Sequence, residues 1–217
     1  MKKKRSKALL RWLFVPAAAC VIALASAVQA QAPSSDVFRV EEDWQLVLLT
    51  PDASLNGPQV TCVISPLTTN DAYCAFDLNY HTQPDYSAGG LQMHVWDPND
   101  PMMYSNLPEW GMLQTAGETV TWTQNMWLNA GVLSFQVTNG QSQTWGKFGG
   151  SSNAQLSVNT SLANLNGYDS NVSLSNSGVS FASNLVSSLT LVAVRWYDAN
   201  GNLIQQNTTP QLVHPQQ

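Results

Sequence analysis

The chain has 217 residues, with 9 Lys+Arg against 14 Asp+Glu, a formal net charge of −5. Lys2, Lys3, Lys4, Arg5, Lys7 and Arg11 hold six of the nine cations, and every acid lies beyond residue 30. The 187 residues after position 30 therefore carry three cations against 14 acids, a charge of −11, which excludes general nucleic-acid binding and attraction to an anionic membrane.

The N-terminus reads as an export address. Lys2 to Lys7 form a basic region, and Leu9 to Ala27 is apolar except for Arg11, Pro16 and Ser26. Small residues follow, with cleavage expected after Ala30 or Ala32. Residues 1–30 are therefore a secretory signal peptide and 31–37 a leader. The clean apolar run is too short for a membrane span, which needs about 20 residues. No later segment is apolar enough, so the mature chain is expected not to span a membrane.

The first mature strand is Trp44–Leu49, reaching back as far as Phe38. A turn over 51–58 leads to two short β runs, Val60–Ile64 and Tyr73–Leu78. If Ser65 faces Asp71 in a hairpin, Cys62 lies directly opposite Cys74, at a spacing that a disulfide tolerates. An even cysteine pair in an exported chain points the same way, and two reduced core thiols are the alternative.

Next, Leu91–Trp96 alternates with period two. Residues 97–117 form a long connection, rich in Pro, Asn and Met. Glu118–Gln124 sets Val120 and Trp122 against Thr119, Thr121 and Thr123. Asn129-Ala130-Gly131 turns into Val132–Thr138, where Leu133, Phe135 and Val137 face inward and Asn139-Gly140 reads as the next turn. Leu156–Thr160 is a weaker strand, and Ser187–Tyr197 is the longest. Asp198-Ala199-Asn200-Gly201 turns into Asn202–Gln206, before a Pro/Gln tail over 208–217.

Helical periodicity is scarce. About nine or ten short strands with Asn/Gly/Pro turns predict an all-β fold, an antiparallel two-sheet sandwich of jelly-roll type, in one domain over 38–207. This strand rhythm is similar to the lectin and glucanase sandwiches named after concanavalin, although no signature motif of that family is present.

In the Leu91–Trp96 strand, Gln92, His94 and Trp96 share the face opposite Leu91, Met93 and Val95. An indole beside an amide and an imidazole suits a sugar platform, because sugar rings stack on indole and hydroxyls take planar polar partners. The Thr119/Thr121/Thr123 and Ser134/Gln136/Thr138 faces are expected to extend it, with Trp110 in the neighbouring loop. The competing reading is an ordinary solvated sheet face. Asp97, Asn99 and Asp100 offer oxygens to Ca²⁺, yet Asp and Asn beside Pro also form turns. Asp198–Asn202 lacks the remaining ligands of a calcium loop and is a hairpin turn.

Glycoside hydrolysis needs two carboxylates across a cleft, for which Glu109 and Glu118 are the available acids. No nucleophile elbow or phosphate loop is present. Arg195 shares an alternating face with Leu189, Leu191 and Ala193. If that face is inward, the guanidinium needs an anion, and the Glu41–Asp43 cluster is the first candidate.

The leading expectation is an exported, non-enzymatic domain that binds carbohydrate or another surface ligand, or belongs to the cell envelope. A glycan-active hydrolase and a purely structural protein are the alternatives.

Overall fold

A computed structural model describes residues 35–50, 57–67, 71–80, 89–96, 101–113 and 115–215, with the side chains of 101 and 102 left aside. Residues 1–34, which hold the expected signal peptide and part of the expected leader, and Asp97, Asn99 and Asp100 lie outside the described residues. Residues 33–217 form one compact unit.

The described chain is two antiparallel sheets packed as a β-sandwich. The strands are β1 (Arg39–Leu48), β2 (Gln59–Ile64), β3 (Tyr73–Leu78), β4 (Leu91–Trp96), β5 (Pro101–Asn106), β6 (Thr119–Asn129) and β7 (Val132–Ser142). After them come β8 (Gly146–Phe148), β9 (Gln155–Asn159), β10 (Gly178–Phe181), β11 (Val186–Tyr197), β12 (Leu203–Asn207) and β13 (Gln211–His214). The larger sheet runs β12-β11-β1-β6-β7-β8, with β13 also on β11 and β9 also on β7. The smaller runs β10-β2-β3-β4-β5. Because β2 to β5 are successive neighbours in one sheet, the strand order establishes a sandwich without establishing jelly-roll winding.

Period-two burial builds the core. Val40, Trp44, Leu46 and Leu48 of β1 face Val120, Trp122 and Met126 of β6 in one layer. Cys62, Phe76, Leu91, Met93 and Val95 come from the other. The rings of Trp44 and Trp122 stack at 6.3 Å, and Phe76 meets Trp122 edge-on at 6.0 Å, joining the two sheets. Such pairs add specific geometry to a large apolar area.

Four expectations change. The cysteine hairpin forms, but it pairs Cys62 with Phe76 and Cys74 with Ile64. The cysteines are free, buried and diagonal rather than opposed. Diagonal partners lie about 7–8 Å apart, beyond the usual span of a disulfide. The long connection after Trp96 holds β5. Asn139-Gly140 does not turn the chain: β7 continues to Ser142, and Asn139 takes a left-handed φ of 56° at a register shift. Finally, Gln211–His214 of the supposed tail pairs with β11.

The Ala130-Gly131 hairpin turn has positive φ at both residues, 48° and 78°, which suits the twist of β6 and β7. A seven-residue helix, α1 (Ser170–Asn176), packs near β2, capped by Asp169 through the Asn171 N–H.

Candidate functional site

The strand register of the smaller sheet assembles a polar and aromatic face opposite the core. Across it, Thr61, Asp77, Gln92 and Asn106 form one row, and Val63, Ala75, His94 and Tyr104 form the next. Gln92, His94 and Trp96 thus share a face, as their alternation predicts. The face is not open throughout, since Gln92 and His94 are buried. Tyr104, by contrast, is 66% exposed.

Rings surround the imidazole. His94 stacks on Trp96 at 5.7 Å with an interplanar angle of 21°. Tyr80 lies 5.5 Å from it and Tyr104 6.4 Å. Tyr80 reaches this face through Asn79, whose left-handed φ of 58° inverts the alternation after Leu78. Asn suits that conformation because its side chain bonds locally. Here the buried Asn79 amide donates to the Pro58 carbonyl at 2.9 Å and accepts the Leu113 N–H at 3.1 Å.

Asp77 is the acid of the site. Thr61 Oγ1 donates to its Oδ1, and its Oδ2 lies 3.2 Å from His94 Nε2, a close contact without hydrogen-bond geometry. Gln92 Nε2 donates to Asn106 Oδ1. His94 Nδ1 and Gln92 Oε1 are buried with no hydrogen-bond partner among the described residues, the kind of group that asks for an explanation. Burial raises the Tyr80 phenol above its ordinary pKa, with the Asp77 charge adding to it.

Trp110 is 72% exposed and lies over Gly90, just before β4. The Gly90 N–H bonds the Gly111 carbonyl at 3.1 Å, and a Cβ on Gly89 would sit 2.9 Å from the Trp110 carbonyl. Gly89 and Gly90, both at positive φ, thus admit this loop. Gln136 does not join the others. It lies on β7, in the larger sheet, with the Thr119/Thr121/Thr123 and Ser134/Thr138 faces. Two packed sheets turn their outer faces away from each other, so the expected single surface is two surfaces.

Glu118 is fully buried and occupied. Ser142 Oγ and the Thr144 N–H, at 2.9 Å, donate to one oxygen, and Thr144 Oγ1 donates to the other at 2.6 Å. Burial raises its pKa, but these donors outweigh burial and hold it below the carboxylate range. Such a group is a poor general acid at neutral pH. It fixes the turn between β7 and β8. Glu109 is partly exposed.

Arg195 does find the acids predicted for it. Its Nη1 and Nη2 reach Asp43 at 2.7 and 2.8 Å, and Nε reaches Glu41 at 3.1 Å. The face is the outer one, though. Asp43 pairs with Ala193 and Trp44 with Leu191, so Val192 is an extra residue. That bulge reverses the alternation and turns Arg195 outward.

Asp77, Thr61, Tyr80 and Asn106 carry no motif. Asp77 alone left a signal, as the charge on the face opposite Cys74, Phe76 and Leu78. No family model, curated protein or solved structure matches the chain.

Proposed function

We propose that the chain is an exported, non-enzymatic domain that binds carbohydrate on the outer face of the smaller sheet. The observation that supports this most is the ring cluster of Trp96, His94, Tyr80 and the exposed Tyr104 beside the Gln92–Asn106 amide pair. Indole and phenol faces offer a sugar ring apolar contact, while amides and a carboxylate meet its hydroxyls. Trp110, exposed beside Gly90 before β4, is a separate aromatic contact at the opposite end of that strand from Trp96. The engagement of Glu118 within the fold weighs against the hydrolase reading.

A glycan-array screen of the chain lacking residues 1–32, with and without Ca²⁺, tests the proposal. Binding to at least one glycan is expected, with Trp96→Ala and Tyr104→Ala each weakening it about tenfold, a loss of the size that truncating an aromatic contact produces. No binding to any glycan sinks the reading. Binding that survives both substitutions removes the site from it. A Ca²⁺ requirement would bring in Asp97, Asn99 and Asp100.

A further inference from the structure

The larger sheet carries a separate constellation on its own outer face. Register places Tyr197, Arg39, Trp127 and Ser134 side by side on four adjacent strands. The next row is Arg195, Glu41, Asn125 and Gln136. Partners directly across such strands stand about 5 Å apart, so these side chains form one continuous surface. At its edge opens a cleft of about 560 Å³, lined by Phe38, Arg39, Asn125, Trp127, Gln136 and Asp198 among others. That volume suits a small organic ligand.

Each wall has a defined chemistry. Trp127 is partly exposed and supplies an indole. Asn125 is buried and fixed, its Nδ2 donating to Thr138 Oγ1 at 2.9 Å. Gln136 Nε2 donates to Gln155 at 3.3 Å. The Arg39 guanidinium lies 3.9 Å above the Tyr197 ring, which orients its plane. Its closest acid is Glu41 at 3.5 Å, and Glu41 already receives Tyr197 Oη at 2.6 Å and Arg195 at 3.1 Å. Arg39 Nε is buried without a hydrogen-bond partner among the described residues, while the side chain as a whole is 39% exposed, so what a ligand meets is the outer end of the guanidinium. A fixed guanidinium with donors to spare, an indole and two amides form the polar and apolar halves of a sugar subsite.

Charge selects the class of sugar. Asp198 accepts the Asn202 side-chain amide at 2.9 Å and the Asn202 and Asn200 backbone N–H groups at 2.8 and 2.9 Å, which lower its pKa from the ordinary value. Among the described residues that line the cleft, Asp198 balances Arg39, and Glu41 beyond the lining is already held by Arg195, so the cleft offers an anion no excess cation in a domain near −11. Like-charge juxtaposition disfavours an anionic ligand.

We propose that this cleft is a second binding site, built for an uncharged sugar chain with one ring against Trp127 and its hydroxyls on Arg39, Asn125 and Gln136. The site shares no residue with the His94 face, so the two proposals stand or fall separately.

Isothermal titration with cellohexaose, mannohexaose, xylohexaose and, as the acidic comparison, trigalacturonate tests it. At least one uncharged hexasaccharide is expected to bind. Trp127→Ala should weaken that binding about tenfold or more, Gln136→Ala should weaken it too, and Trp96→Ala should leave the cleft's share unchanged. Melting temperatures confirm that each variant folds. If Trp127→Ala does not fold, Gln136→Ala and the loss of ligand-dependent emission change in Trp127→Phe carry the same test. The proposal is overturned if no uncharged hexasaccharide binds, if binding ignores both cleft substitutions, or if trigalacturonate binds more tightly than the uncharged sugars.

Discussion

Glu42 shows how one residue can sit against its surroundings. The Glu41-Glu42-Asp43 triplet splits by alternation: Glu41 and Asp43 face outward to Arg195, while Glu42 turns into the core and is 0% exposed. Trp44 Nε1 at 2.9 Å, Tyr168 Oη at 2.6 Å and Ser173 Oγ at 2.5 Å all donate to its carboxylate. None of the three is a cation. Burial therefore prevails over these bonds and pushes the Glu42 carboxyl up to about 7. A folded-state pKa raised from 4.5 means the fold favours the protonated form. The stability this contributes is present below the ordinary carboxylate pKa and is lost as pH rises through about 7. A rise of that size corresponds to about 3 kcal/mol. Denaturation midpoints measured from pH 4 to 8 should show a loss of this order in the parent chain. Glu42→Gln, which cannot ionise, should flatten it; an unchanged slope would refute the assignment.

At the scale of elements, three local devices set which side chains meet. The Val192 bulge turns Arg195 outward, and left-handed Asn79 brings Tyr80 to His94. Left-handed Asn139 lets β7 run on to pair with β8. There Gly140 lies against Phe148: a Cβ at 140 would sit 2.3 Å from Phe148 Cδ2. Phe148 is buried among Phe76 and Trp145 and has little room to yield. Gly140→Ala should cost about 1–3 kcal/mol by overpacking, seen as a lower urea midpoint at unchanged slope. A neutral result would show that the ring moves freely.

These devices mark where the sequence stops being legible. Alternation alone identified the inward residues of β4, β6 and β7, since their polarity follows period two. It failed at Arg195, where one extra residue reverses the count, and at Asn139-Gly140, where a turn dipeptide serves as a bulge. It also misplaced Cys62 against Cys74, because a hairpin of either register keeps both cysteines on the core face. β5 was hidden in the Pro-, Asn- and Met-rich stretch after Trp96, since tertiary pairing can override weak β propensity.

For the whole molecule, charge separates the two parts of the chain: a cationic stretch up to Arg11 and a domain near −11. Among the described residues no helix is long and apolar enough to cross a membrane. If residues 1–30 are an export signal, expression in a secreting host should yield a released form lacking either 30 or 32 residues, read by intact mass. Recovery of only the full-length chain would refute it. The sequence by itself determined the strand-rich class and the inward faces of the regular strands, because period-two polarity is a local property. Only the tertiary structure decided which strands share a sheet. That choice gathers Asp77, His94, Tyr104 and Asn106 on one face, sends Gln136 to the other beside Trp127 and Arg39, and buries Glu42. Such neighbours come from long-range pairing, which no local pattern encodes.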